Sequence, residues 1–302
     1  METLGKGYFG TVFLVEMKSN KKLYALKVIN KLDIIKKNFF TGLKNEKKIL
    51  GSVQNKFVVQ LAYCFADDGH IFFAMDFKQG GELYYHLRQK KRFEESVCRF
   101  YACQILLGLI YLHSKNIMYR DMKPENILLD RDGNVCLADF GISKVIQKGQ
   151  KTSSFVGTPE YVSPEIITQR GHDKSTDIWC FGVLLYEMAI GLSPFFDTNR
   201  NRMFKNIVEK DIFFPKKVHV SEQFRDLITQ CLQKKPESRI GFKDIGEIKK
   251  HGWFEEVDWK EVEELKLEPP IKPRIHDRFD VDNFNYNLVK QKPEIQNLSY
   301  LE

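Results

Sequence analysis

Along residues 1–75, short β-branched and apolar runs alternate with polar breaks. Thr11-Val12-Phe13-Leu14-Val15-Glu16 and Tyr24-Ala25-Leu26-Lys27-Val28-Ile29 read as strands. Ile35, Leu43 and Leu50 are spaced roughly as one helical face, so a single helix is expected among these strands. Residues 76–81 form a short linker, where Gly80-Gly81 allows a bend. Residues 82–254 read as mainly helical. Over 94–113 the positions Val97, Phe100, Tyr101, Ile105, Leu106, Leu109 and Leu112 recur with a period of about 3.6 residues. Residues 174–190 are apolar nearly throughout, the pattern of a helix buried on all sides. Short strands are expected around Asn126 and before Asp139. From about 255 onward the chain is acidic, proline-containing and aperiodic, which predicts an extended tail rather than a domain.

Lys27 interrupts this pattern. A lysine inside an apolar strand is costly to bury unless paired. It either snorkels to water from a strand edge or meets a carboxylate. Glu46, in Lys44-Asn45-Glu46-Lys47-Lys48-Ile49-Leu50, is the candidate partner, although a glutamate on such a helix is usually solvated. Upstream, Gly5-Lys6-Gly7-Tyr8-Phe9-Gly10-Thr11-Val12 spaces three glycines so that backbone can approach phosphate oxygens closely. A dinucleotide-binding turn would lead into a helix. A strand follows instead, so the glycines read as a flap over a nucleotide.

The densest chemistry lies in Tyr119-Arg120-Asp121-Met122-Lys123-Pro124-Glu125-Asn126, followed at a distance by Asp139-Phe140-Gly141. Phosphoryl transfer from ATP needs such a set: a carboxylate to orient the acceptor hydroxyl, a cation for the moving phosphate, and an amide and second carboxylate for magnesium. A charged surface loop is the plain alternative, and the order and spacing argue against it.

Taken together, these residues make the chain resemble a eukaryotic protein kinase over nearly its whole length. The resemblance implies an α+β, bilobal fold: a small antiparallel-sheet lobe with one helix (1–75), a hinge (76–81), a larger helical lobe (82–254), and a C-terminal tail (255–302). It implies Asp121 as base, Lys123 as γ-phosphate cation, Lys27 paired with Glu46, and Asn126 and Asp139 as magnesium ligands. Leu4, Gly5, Lys6, Gly7, Tyr8, Phe9, Gly10, Val12, Ala25, Met75 and Leu128 would surround ATP. Gly157-Thr158-Pro159-Glu160-Tyr161 and Ser163-Pro164-Glu165 look like the segment that receives the substrate, with Thr158 touching it. Asp177 looks like a large-lobe anchor, and Arg239 is placed to pair with Glu165.

Tyr119 before Arg-Asp, Glu268 to Pro273, and Asn283-Phe284-Asn285 are similar to the AGC group of serine/threonine kinases. Within it the chain looks nearest the protein kinase B and serum/glucocorticoid-kinase branch, with cyclic-nucleotide-dependent kinases as the alternative. Lys123, two residues after the base, is the pattern of serine/threonine rather than tyrosine kinases. In that group Glu82, Glu125 and Glu187 would line the peptide groove and select arginine, and Ser154 would be phosphorylated by an upstream kinase, with Arg120 and Lys144 receiving the phosphate. Gly42 stands where a further basic residue is often supplied. Ile295-Gln296-Asn297-Leu298-Ser299-Tyr300 echoes a hydrophobic motif that would make Ser299 a second phosphorylation site. Ile178 and Cys180-Phe181 depart from the family pattern and place local packing in question. A kinase-shaped scaffold without activity, or a small-molecule kinase, are the rival readings. The first should lack a catalytic residue, the second the Gly157-to-Glu165 segment.

Composition changes little. The 302 residues are 43% hydrophobic and 29% charged, ordinary for a globular protein. The net charge is +7, with one dense patch at Arg88-Gln89-Lys90-Lys91-Arg92, but no zinc-ligand spacing or aromatic-interleaved basic face points to nucleic acid. No apolar run is expected to reach membrane-spanning length, and no signal peptide is expected before Gly5. The six cysteines form no C-x-x-C pair, and Cys136 near Asp139 reads as a packing residue. A monomer in the cytosol or nucleus, acting on protein substrates, is expected.

Overall fold

The computed structural model describes residues 2–7, 10–147 and 149–284. Five antiparallel strands form the first sheet, in the order β1-β2-β3-β5-β4. They are β1 (Glu2–Lys6), β2 (Thr11–Glu16), β3 (Leu23–Asn30), β4 (Leu61–Ala66) and β5 (His70–Asp76). Alternation along β3 sorts its side chains between two faces. Tyr24, Leu26 and Val28 pack with Phe13 and Phe72 in one cluster. Ala25 packs with Val12 and Leu14 in another. The register sets Val12 opposite Lys27, and Leu14, Ala25 and Met75 in one row across three strands. Lys27 therefore faces the same side as the apolar residues that line the crevice.

Two helices, not one, accompany this sheet: α1 (Lys31–Lys36) and α2 (Phe40–Ser52). The Asn30 side chain caps α1 by accepting from the Leu32 amide, and Asn38, at φ 50°, breaks the run between them. Counting a helical period across that break places Ile35 on the wrong side. It is 57% exposed, while Leu43, Glu46, Ile49 and Leu50 of α2 are buried.

After β6 (Gly81–Glu82) and α3 (Leu83–Lys90), the large lobe is built on α4 (Glu95–Ser114) and α6 (Ser175–Ile190). Every residue of α6 except Ile190 is buried, as its unbroken apolar run predicts. Ile178, Cys180 and Phe181 are all among them, so the departures from the family pattern pack without difficulty, and Trp179 stacks on Phe195 at 5.7 Å. Contrary to expectation, α4 is long and apolar enough to cross a membrane by length and composition. Here its apolar surface is taken up by β9 (Val135–Leu137), α6 and α9 (Trp259–Glu263).

The tail is more structured than its composition predicts. It opens with α9 (Trp259–Glu263), capped by the Asp258 carboxylate, with Val262 buried. Two interactions, Phe254 with Trp259 at 5.3 Å and Lys249 over the Trp259 ring, hold it to the large lobe. The chain then returns to the sheet lobe. Arg278 donates to Glu16 at 2.8 Å, and Phe284 stacks on Phe77. Gly81, at φ +74°, is needed because a Cβ there would strike the Asn283 backbone. Asn285 and the 295–300 segment with Ser299 lie outside the described residues. The six cysteines are free thiols.

Candidate active site

A crevice of about 440 Å³ separates the two lobes. Of the residues expected around the nucleotide, Leu4, Gly5, Lys6, Gly7, Gly10, Val12, Ala25, Lys27, Met75 and Leu128 line it, and Tyr8 and Phe9 lie outside the described residues. The Gly7 amide donates to the Gly10 carbonyl at 2.8 Å. Any side chain at Gly10 would strike the Val28 carbonyl, so the glycine lets the flap lie close on β3. Phe284 of the tail closes one side.

Lys27 Nζ sits 2.6 Å from Glu46 Oε1 and 3.3 Å from Asp139 Oδ1. Burial pulls the ammonium down, but the carboxylates of Asp139 and Glu46 outweigh it and hold Lys27 above its ordinary value. Burial pushes the Glu46 carboxyl up, against the pull of Lys27. The Lys27 charge holds Asp139 below the usual carboxylate range. Glu46 is sealed from solvent, whereas the Asp139 side chain is 46% exposed and open to a ligand.

The loop after β7 (Ile117–Met118) is fixed from beneath. Asp177, fully buried on α6, accepts the Tyr119 amide at 2.9 Å and the Arg120 amide at 2.7 Å, with His113 Nε2 at 2.8 Å. The Tyr119 hydroxyl donates to the Ala138 carbonyl and, at 3.2 Å, to that of Asn126. Asn126 Nδ2 donates to the Asp121 carbonyl at 2.8 Å and to Asp121 Oδ2 at 2.7 Å, which leaves the Asn126 side-chain oxygen as its acceptor. Lys123 Nζ lies 3.4 Å from Asp121 Oδ2 and donates to Thr158 Oγ1 at 3.0 Å. Thr158 Oγ1 in turn donates to Asp121 Oδ1 at 3.2 Å. The Asp121 carboxylate, the Lys123 ammonium and the Thr158 hydroxyl thus meet at one point. The amide oxygen of Asn126 and the open carboxylate of Asp139 are hard oxygen donors, the kind magnesium takes alongside phosphate. Cys136 is buried, and burial pushes its thiol up to about 11, so it offers no soft ligand.

Comparison with known families places "Protein kinase domain" on residues 1–254. The chain belongs to the protein kinase family, within its AGC group. It is 38% identical to the serine/threonine protein kinase ypkA of Aspergillus fumigatus over 97% of this chain and 46% of that protein. It is 41% identical to the serine/threonine-protein kinase sgk-1 of Caenorhabditis elegans over 96% of this chain and 63% of that protein. To the eye isozyme of protein kinase C of Drosophila melanogaster it is 42% identical, over 98% of this chain and 42% of that protein. The chain spans about half the length of the curated relatives it matches.

The three glutamates expected to line a peptide groove have different surroundings. Glu82 lines the crevice, and burial together with Glu125 pushes its carboxyl up to about 7. Glu125 is exposed. Glu187 is only 4% exposed. It accepts the Tyr161 hydroxyl and is approached by Arg88 from α3 at 3.8 Å. Tyr161 and Arg88 were not legible as its partners, because both contacts are long-range. Side-chain contacts also tie residues 152–154 to the large lobe. Arg120 Nη1 donates to Ser154 Oγ at 2.9 Å, and Lys144 reaches Thr152 at 2.8 Å rather than Ser154. Thr152 pairs with His172 through both backbone hydrogen bonds, an anchor that sequence reasoning missed. Arg239 grips both oxygens of Glu165, at 2.7 and 2.6 Å.

Proposed function

We propose that the chain is a serine/threonine protein kinase that uses Mg-ATP, selects acceptor segments carrying arginine, and is switched by phosphate on Ser154. The observation that carries this reading is the convergence of Asp121, Lys123, Asn126 and Thr158 at hydrogen-bonding distance, with Lys27 held between Glu46 and Asp139. Bound with magnesium, ATP supplies a transferable phosphoryl group and an ADP leaving group. Asp121 orients the acceptor hydroxyl and takes its proton as the oxygen bonds to phosphorus. Lys123 spreads the charge that builds on the phosphoryl oxygens. Lys27, held cationic by its two carboxylates, would steady the remaining phosphates, and Asn126 and Asp139 would hold the metal.

Glu82 and Glu125 supply the carboxylates at the mouth of the crevice, and a planar guanidinium suits such a pair. Glu187, buried under Tyr161, adds to the local field rather than offering an open fork. A phosphate on Ser154 adds roughly −1.5 to −2 charge directly beside Arg120. Because Arg120 adjoins Asp121, ordering the one orders the other. The test is incubation of the purified chain with labelled ATP and a mixed peptide library, beside Asp121→Asn and Lys27→Met. The reading expects Arg-directed serine/threonine phosphorylation, lowered at least about 10²-fold in each variant. Equal phosphorylation by the variants would remove it, and an acidic or proline-directed preference would remove the specificity.

A further inference from the structure

Behind the activation segment lies a second cavity of about 430 Å³. Lys151, Arg170, Lys234 and Lys235 line it. Two carboxylates line it too, but Glu165 is engaged by Arg239 and by the Thr176 hydroxyl, leaving Glu237 as the open carboxylate among the lining residues, with Asp211 acting on Lys234 from outside the lining. Lys151, Arg170 and Lys235 are exposed and form no ion pair among the described residues. Lys234 is set deeper. Its ammonium donates to the Ile207 carbonyl at 2.7 Å and lies over the Phe195 ring at 4.1 Å. An ammonium has three donors, so capacity for a ligand remains. Burial pulls Lys234 down to about 8, although Asp211 works against that.

The cavity is shaped as well as charged. Pro164, Val208 and Pro236 give it apolar walls between the cations. The stem of Lys151 lies across Gly171, where a Cβ would come within 3.3 Å of it. Cations gathered in a concave site repel one another and focus potential outward, so such a site favours an anionic occupant. A free ion would use only the charges. An acidic segment of polypeptide would use the walls too, laying its aliphatic stems on the prolines and Val208.

We propose that this cavity docks an acidic segment of a protein partner, whose carboxylates engage Lys151, Arg170 and Lys235. Lys151 immediately precedes Thr152, which pairs with His172 and receives Lys144. A partner holding Lys151 therefore grips the base of the activation segment, on the side away from the crevice.

The test measures fluorescence anisotropy of a labelled peptide of alternating Glu and Leu against the full 302-residue chain. Arg170→Glu with Lys235→Glu should weaken binding by roughly tenfold or more, and the milder Arg170→Gln with Lys235→Gln by less. Lys90→Glu with Arg92→Glu, the same charge change elsewhere on the surface, should leave binding intact. Melting temperature and phosphorylation of a short Arg-bearing peptide should be unchanged in all three. Undetectable binding, or equal weakening by the Lys90/Arg92 variant, overturns the proposal. So does displacement of the peptide by inorganic phosphate at similar concentration, which would make the cavity a free-anion site.

Discussion

Glu82 should make substrate selection depend on pH. Its carboxyl, pushed from 4.5 to about 7 by burial and by Glu125, is about one-tenth ionised at pH 6 and about nine-tenths at pH 8. If the ionised form holds the substrate arginine, kcat/KM for an Arg-bearing peptide rises about ninefold across that interval, chiefly through KM. A peptide without arginine should rise less, and Glu82→Gln should be flat and low on the Arg peptide. The same group carries a stability signature of opposite sense. Between pH 4.5 and about 7 the folded chain keeps a proton on Glu82 that the unfolded chain has lost, so stability falls as pH rises through this window. A carboxyl held about 2.5 pH units high corresponds to roughly 3 kcal/mol, and the open mouth of the crevice reduces this to about 2. Glu82→Gln should therefore melt above the parent at pH 8 and level with it below pH 4.5. Steady-state kinetics across pH 6–8, with thermal melts of both proteins, check this. Parallel pH profiles for parent and Glu82→Gln on the Arg peptide would refute the reasoning.

Arg239→Met leaves Glu165 buried without its partner and should cost about 3–5 kcal/mol in denaturant unfolding; a loss under 1 kcal/mol would show that solvent reaches the site. Tyr119→Phe removes the hydroxyl from the Ala138 and Asn126 carbonyls and should cost about 1–3 kcal/mol with a fall in kcat; an unchanged melting temperature would mean the carbonyls find other donors. Stoichiometric phosphorylation of Ser154 should raise activity and melting temperature together, and Arg120→Ala should cancel the thermal gain. An equal gain in both proteins would place the phosphate elsewhere.

The legible parts of this chain are those where a residue contradicts its surroundings. Lys27 in an apolar strand demanded a carboxylate, and Glu46 provides it at 2.6 Å. The apolar run over 174–190 could only be a central helix, and α6 is one. What escaped depends on a single dihedral or on distant contacts. Asn38 turns the chain left-handed and splits one expected helix into two. Glu187 looks like any solvated glutamate until Tyr161 folds over it. The tail's composition predicts extension, yet Asp258 caps a short helix whose Val262 finds a pocket on the large lobe. The length of α4 suits a membrane as well as a core, and only its packing against α6 and β9 tells which surface it meets.

Backbone strain explains why Tyr119 stands where it does. Arg120 and Asp139 both adopt positive φ, 68° and 52°, a conformation that L-residues adopt at a cost of about 1–3 kcal/mol each. Each immediately precedes or carries a functional carboxylate, Asp121 in one case and its own in the other. Arg120 is held in place by its backbone N–H, which donates to the buried Asp177 carboxylate at 2.7 Å, a charge-assisted hydrogen bond able to offset the strain. Asp139 accepts the Gly141 amide at 3.1 Å and pairs with Lys27 at 3.3 Å. Tyr119 adjoins the first strained residue, and its hydroxyl bonds the carbonyl of Ala138, which adjoins the second. One buried side chain therefore ties the two strained segments together, beside the Ala138 amide bonded to the Asn126 carbonyl at 2.8 Å and Arg120 Nε bonded to the Ile142 carbonyl at 2.7 Å. A side chain at 119 without a hydroxyl would leave the Ala138 carbonyl without this donor, at the residue next to the strained Asp139.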